Sequence, residues 1–122
     1  MATELRVAFI ALLALLLGAA AASAHAVLDR ASPAVGSTLR SAPREVSLRF
    51  TGNLEAAFST VVVSNSAGAR VDVGNVHVDS ANRRLLRVSL SPLPPGVYRV
   101  VWRVVSVDSH TTEGEYAFRV DE

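Results

Sequence analysis

No cysteine occurs anywhere in the 122-residue chain. Disulfides, zinc–thiolate centres, iron–sulfur clusters, cysteine nucleophiles and lipid attachment through an N-terminal cysteine are therefore excluded. The single methionine is Met1, so thioether donors for a soft metal ion are missing as well. Lysine is also absent: all twelve Lys/Arg positions are arginine, a bias of composition more than of chemistry. The formal net charge is +1, which offers no excess to draw in nucleic acid or an anionic membrane surface. No internal repeat and no linker is visible, and the length suits one domain.

What is present divides at residue 24. Arg6 supplies a weak positive start, partly offset by Glu4, and Val7 to Leu17 is an unbroken apolar run. Small residues follow and end in Ala22-Ser23-Ala24. A charged start, an apolar middle and an A-x-A ending form the layout of a secretory signal peptide. The competing reading, a membrane anchor, needs roughly 20 apolar residues, and the stretch from Val7 to Ala22 is shorter than that. Cleavage after Ala24 is expected, giving a signal peptide over 1–24 and a mature domain over 25–122 that begins at His25.

The mature sequence reads as β throughout. Ala26-Val27-Leu28 leads into a turn-rich loop, Ser32-Pro33-Ala34-Val35-Gly36-Ser37. Glu45 to Thr51 alternates, with Val46, Leu48 and Phe50 on one face and Ser47 and Arg49 on the other. Leu54 to Phe58 can form a single helical turn, and Thr60 to Val63 is a β-branched run. Arg70–Val73, Val76–Val78 and Leu85–Leu90 are further strand candidates. Pro94 and Pro95 deny backbone donors, so a new strand starts after Gly96. It puts Tyr98, Val100, Trp102 and Val104 on one face, with Arg99 and Arg103 opposite, and reads as the central strand of a sheet. Tyr116, Phe118 and Val120 alternate likewise in the last strand. The chain stops just beyond, at Asp121-Glu122, so no membrane tail is expected. About seven strands of five to nine residues, with no long helix, predict an all-β, immunoglobulin-like Greek-key sandwich of two antiparallel sheets. A domain of this size can bury enough apolar surface to fold without disulfides.

Three residues carry candidate chemistry. Asp108 and His110 are separated by one position, and in an extended backbone both point to the same side. His25, once freed by the peptidase, offers its α-amine and its imidazole together, and the two can close a chelate ring. An internal histidine cannot do this, because its backbone nitrogen is an amide. The set of three nitrogens and one oxygen, without sulfur, suits Cu(II) or Ni(II), with Cu(II) leading the affinity order. Both nitrogen types must lose their protons to bind, so affinity is expected to fall below neutral pH. His77, between Val76 and Val78, has no partner at a useful spacing and is expected to face solvent.

The segments His25-Ala-Val-Leu, Ser32-Pro-Ala-Val-Gly-Ser, Val46-Ser-Leu-Arg-Phe, Leu93-Pro-Pro-Gly-Val-Tyr, Val101-Trp-Arg-Val-Val-Ser and Asp108-Ser-His, then Gly114 and Phe118-Arg-Val, resemble the CopC-type bacterial copper-resistance proteins. The resemblance runs the length of the mature chain. It implies an exported, periplasmic or otherwise extracytoplasmic sandwich that binds one Cu(II) per mature chain through His25, Asp108 and His110. It also implies a role in copper carriage and homeostasis, often linked to a CopD-type membrane protein that moves copper inward. The chain is expected to act as a monomer, to meet the membrane only during export, and to catalyse nothing itself. It departs from the family in lacking a methionine-rich loop, in carrying Gly52 where some members place a glutamate, and in carrying Thr111 where proline often follows the Asp-x-His. Glu55 or Glu113 could supply an outer-shell oxygen in place of that glutamate. Two other readings compete: a copper-dependent oxidative enzyme built on the N-terminal histidine chelate, and an immunoglobulin-like structural domain that binds no metal.

Overall fold

The computed structural model describes residues 26–121, so the expected signal peptide and His25 lie outside the described residues. The strands are β1 (Leu28–Ser32), β2 (Thr38–Leu39), β3 (Glu45–Phe50), β4 (Thr60–Asn65), β5 (His77–Val78), β6 (Leu85–Ser89), β7 (Gly96–Val105) and β8 (Thr111–Val120). A single 3₁₀ turn, Ala56–Phe58, precedes β4. No helix among the described residues is long and apolar enough to cross a membrane. The strands form two four-stranded sheets, β1-β3-β6-β5 and β2-β8-β7-β4. The order is that of an immunoglobulin-type sandwich, with the short β2 added beside β8. The described chain thus holds eight strands of two to ten residues where about seven were expected.

Two features depart from the sequence reading. β2 pairs with β8 in parallel, Thr38 opposite Arg119 and Leu39 opposite Val120, so the second sheet is not wholly antiparallel. The chain reaches β2 by leaving the first sheet at a turn whose Gly36 sits at φ 70, a conformation that favours glycine. The Arg70–Val73 candidate is not a strand and makes only isolated bridges, Ser64 to Arg70 and Asp72 to Leu90. Val71 N–H donates to Val63 of β4, whereas Val73 N–H donates to Ser89 of β6. The segment therefore crosses the open side between the sheets. The side chain of Asp72 makes this crossing possible. Its carboxylate is fully buried against an arginine that is half exposed, Arg70. It accepts the Val63 N–H at 2.8 Å, the Gly74 N–H at 3.0 Å and the Arg70 guanidinium at 2.8 Å. A buried carboxylate needs this density of donors.

The core lies between the sheets and follows the alternation read from the sequence. Val46, Leu48 and Phe50 of β3, Leu86 and Val88 of β6, and Tyr98, Val100, Trp102 and Val104 of β7 are all buried. Tyr116, Phe118 and Val120 of β8 face them from the same sheet as β7. Full burial of each such side chain contributes about 1.5–3 kcal/mol relative to exposure. Trp102 meets Phe50 edge to face across the sheets, with centroids 5.2 Å apart. Tyr98 stacks on Phe118, and its hydroxyl donates to the Pro94 carbonyl, tying the prolyl turn to the start of β7. On the outer face, Arg99–Glu115 and Arg103–Glu113 pair β7 with β8, each worth under about 1 kcal/mol at an exposed site.

Two core positions generate predictions. A Cβ on Gly114, which lies opposite Trp102, would stand 2.6 Å from Trp102 Cζ2 and 3.0 Å from Cε2. The glycine is the space that the indole occupies. Gly114→Ala is expected to cost about 1–3 kcal/mol by overpacking, read as a lower denaturation midpoint with an unchanged m-value. The Tyr116 hydroxyl is buried without a hydrogen-bond partner among the described residues, and burial pushes its pKa up to about 12. Tyr116→Phe removes this unsatisfied group at nearly constant volume. The same denaturation experiment is expected to show stability equal to the parent or higher by about 1 kcal/mol.

Candidate metal centre

β7 and β8 are joined by a tight hairpin. Ser106 N–H donates to the His110 carbonyl at 2.9 Å, and Ser109 N–H donates to the Ser106 carbonyl at 2.9 Å. The three residues between, Val107, Asp108 and Ser109, make the loop, and Ser109 takes the left-handed conformation at φ 70. Three-residue hairpin loops commonly combine a turn with one left-handed residue in this way. Asp108 and His110 therefore do not converge by strand alternation, as an extended backbone implies. They converge because the turn folds back on itself.

The resulting pair is close and open to solvent. His110 Nδ1 lies 3.1 Å from Asp108 Oδ2, with side-chain exposures of 50% and 29%. Asp108 Oδ1 accepts from the Ser106 hydroxyl, and His110 N–H approaches it at 3.4 Å. Hydrogen bonding from Ser106, then from His110, outweighs partial desolvation and holds the Asp108 carboxyl below the usual carboxylate range. The group is thus ionised at neutral pH. Sequence reading overlooked Ser106. The signal that could have shown it is its place as the next inward-facing residue after Tyr98, Val100, Trp102 and Val104, a polar side chain where the row is otherwise apolar.

The hairpin tip is braced by neighbours from the other sheet's end. Val107 N–H donates to the Asn53 carbonyl, Glu55 N–H to Val105, and Leu54 bridges to Ser106. The chain enters at the same end. Ala26 is buried, and its carbonyl accepts the Thr112 hydroxyl at 2.7 Å, two residues beyond His110. Val27 and Thr51 exchange bonds, Val27 N–H to the Thr51 hydroxyl and Thr51 N–H to the Val27 carbonyl. A Cβ on Gly52 would meet the Ala26 Cβ at 3.6 Å, so the position where some family members carry glutamate does face this entry point. Glu113 faces Arg103 at 3.9 Å, on the outer side of the sheet. Glu55 is tied in through its backbone, its N–H donating to the Val105 carbonyl. His77 stands exposed on β5, with Nδ1 2.8 Å from the Asn75 carbonyl, as expected of a residue outside the site.

Among the described residues no group of three or more His, Cys, Asp or Glu side chains comes together. Asp108 and His110 come together as a pair, and the third expected donor, His25, lies outside the described residues. The donors present are an imidazole nitrogen and an ionised carboxylate 3.1 Å apart, which one ion with bonds near ~2 Å can bridge. Nitrogen and oxygen without sulfur fits a borderline divalent ion such as Cu(II) and disfavours Cu(I).

Comparison with known proteins agrees with the fold. A family model described as the CopC domain matches residues 28–121. Copper resistance protein C of Pseudomonas syringae pv. tomato is 33% identical over 122 residues, covering 94% of this chain and 96% of that protein. Copper transport protein CutJ of Bacillus subtilis (strain 168) is 37% identical over 98 residues, which are 80% of this chain. The match spans only 18% of CutJ's own length. Among solved structures, CopC from Methylosinus trichosporium OB3b superposes with a TM-score of 0.74 at 36% identity, covering 80% of this chain and 94% of that one. PcoC, a methionine-rich copper resistance protein from Escherichia coli, gives 0.70 at 32%, covering 80% and 100%. With the matched segment running from the first residue of β1 to the residue after β8, the chain belongs to the CopC family.

Proposed function

We propose that this protein is an exported Cu(II) carrier or buffer that serves copper resistance and homeostasis. Removal of the signal peptide after Ala24 creates the metal site. One Cu(II) per mature chain is then held by the α-amine and imidazole of His25, the imidazole of His110 and the carboxylate of Asp108. The observation that carries this reading is a coincidence in space. The Asp108–His110 pair crowns the β7–β8 hairpin, and the carbonyl of Ala26, covalently next to His25, accepts the Thr112 hydroxyl at the loop end of that hairpin.

The names of the relatives support copper as the cargo. The single methionine separates this chain from a relative described as methionine-rich and favours Cu(II) over Cu(I). The site works in the periplasm or another extracytoplasmic space, on a monomer, and passes copper to a membrane transporter of the CopD type. CutJ, a copper transport protein in which a matching segment is a small part of a longer chain, supports that partnership. The domain holds and releases its ion and carries out no reaction of its own. A copper-dependent oxidative enzyme and a metal-free structural domain both fit relatives named for copper resistance and copper transport less well.

Titration of the processed protein with Cu(II), followed by the visible band and by quenching of Trp102, is expected to saturate at one equivalent. His110→Ala, and separately a glycine added before His25, are each expected to weaken binding more than ~100-fold, beyond the usual second-shell effect. Unchanged affinity in the glycine-extended protein would falsify the chelate. The pH dependence follows from which donors hold protons. Asp108 is already ionised well below neutrality, so it does not limit binding there. The nitrogen donors must be free of protons to bind, so protons compete with Cu(II) as pH falls. Competition titrations from pH 8 down to about 5.5 are therefore expected to show affinity dropping steadily, with a slope that glycine extension reduces.

A further inference from the structure

We propose that Ser106 is a positioning residue that commits Asp108 to bind metal through Oδ2 alone. This inference rests on the copper reading above and extends it to a residue that does not touch the ion. Ser106 is 2% exposed and occupies the inward row of β7 directly beyond Val104. An apolar side chain would satisfy the packing there, so the buried hydroxyl requires a polar reason. Two acceptors lie within reach of its single proton: Asp108 Oδ1 and, at 3.2 Å, the His110 carbonyl. The His110 carbonyl already receives the Ser106 N–H at 2.9 Å. A hydrogen bond to an ionised carboxylate is roughly twice as strong as one to a neutral acceptor. The proton therefore goes to Asp108.

With the His110 N–H also directed at Oδ1, that oxygen is held from within the hairpin. Oδ2 is left facing His110 Nδ1 at 3.1 Å. One bond thereby fixes the rotation of the carboxylate and presents a single oxygen beside a single nitrogen. Binding then costs little reordering of this ligand, the advantage that preorganised sites share. Loss of a residue that holds a metal ligand in place without touching the ion typically changes metal affinity by about 10–100-fold.

The test is a double-mutant cycle on the processed protein, with Cu(II) itself as the probe. The parent is titrated first; absence of saturable binding there would sink the copper reading and would be recognised before Ser106 is altered. Ser106→Ala removes only the hydroxyl and is expected to stay folded, as a denaturation midpoint checks. It is expected to bind Cu(II) about tenfold more weakly and to shift the electron paramagnetic resonance hyperfine pattern, because either carboxylate oxygen can then bind. In an Asp108→Ala background the same serine change is expected to alter Cu(II) affinity by less than about twofold. Parent-like affinity and spectrum in Ser106→Ala would overturn the proposal. So would an equal loss in both backgrounds, since Ser106 would then act on the fold generally.

Discussion

The pairing of β7 with β8 runs without interruption from Gly96 opposite Val120 to Val105 opposite Thr111, and the rest of the molecule takes its position from it. Ten paired positions leave no freedom in register, because a shift by one residue would turn Trp102, Val104, Tyr116 and Phe118 out of the core. That register also sets Gly114 across from Trp102, where the absent Cβ admits the indole against Phe50 of the opposite sheet. The hairpin's far end is then a rigid platform. Its loop must emerge where the ladder stops, with Asp108 on that loop and His110 directly after it.

Two aspartates show how burial separates structure from binding. Asp72 and Asp108 both spend carboxylate oxygens on backbone N–H groups and on a neighbouring side chain. The side chain of Asp72 is wholly buried, surrounded by donors and paired with Arg70. Its work is to carry the chain from one sheet to the other. The side chain of Asp108 is 29% exposed, with Oδ2 beside the His110 imidazole. The same kind of group is thus fully enclosed in one place and left partly open in the other.

Most of the fold was legible because half-buried strands write their period of two directly into the chain. Val46, Leu48 and Phe50, and the four inward residues from Tyr98 to Val104, all face the core as the alternation implies. Arg70–Val73 misled for the same reason. Its polar and apolar residues alternate, yet Asp72 is the buried one and Val73 is exposed, an inversion that only the carboxylate's donors explain. The parallel β2 was illegible because two residues carry no period. The spacing of Asp108 and His110 implied that the two side chains meet, and they do, but through a turn with a left-handed residue and not through strand alternation.

The sequence by itself determined which side chains must be hidden, where strands cannot continue, and which donor atoms exist at all. Those follow from local chemistry: a proline without an N–H, a branched side chain, a chain with neither cysteine nor internal methionine. Only the tertiary structure decided which of these groups meet. Ala26 against Thr112, Asn53 against Val107 and Ser106 beneath Asp108 depend on how two sheets pack and on the conformation of one left-handed serine. Such contacts join residues up to eighty-six positions apart. No local preference encodes them, because the free energy that brings them together comes from burying the whole core at once.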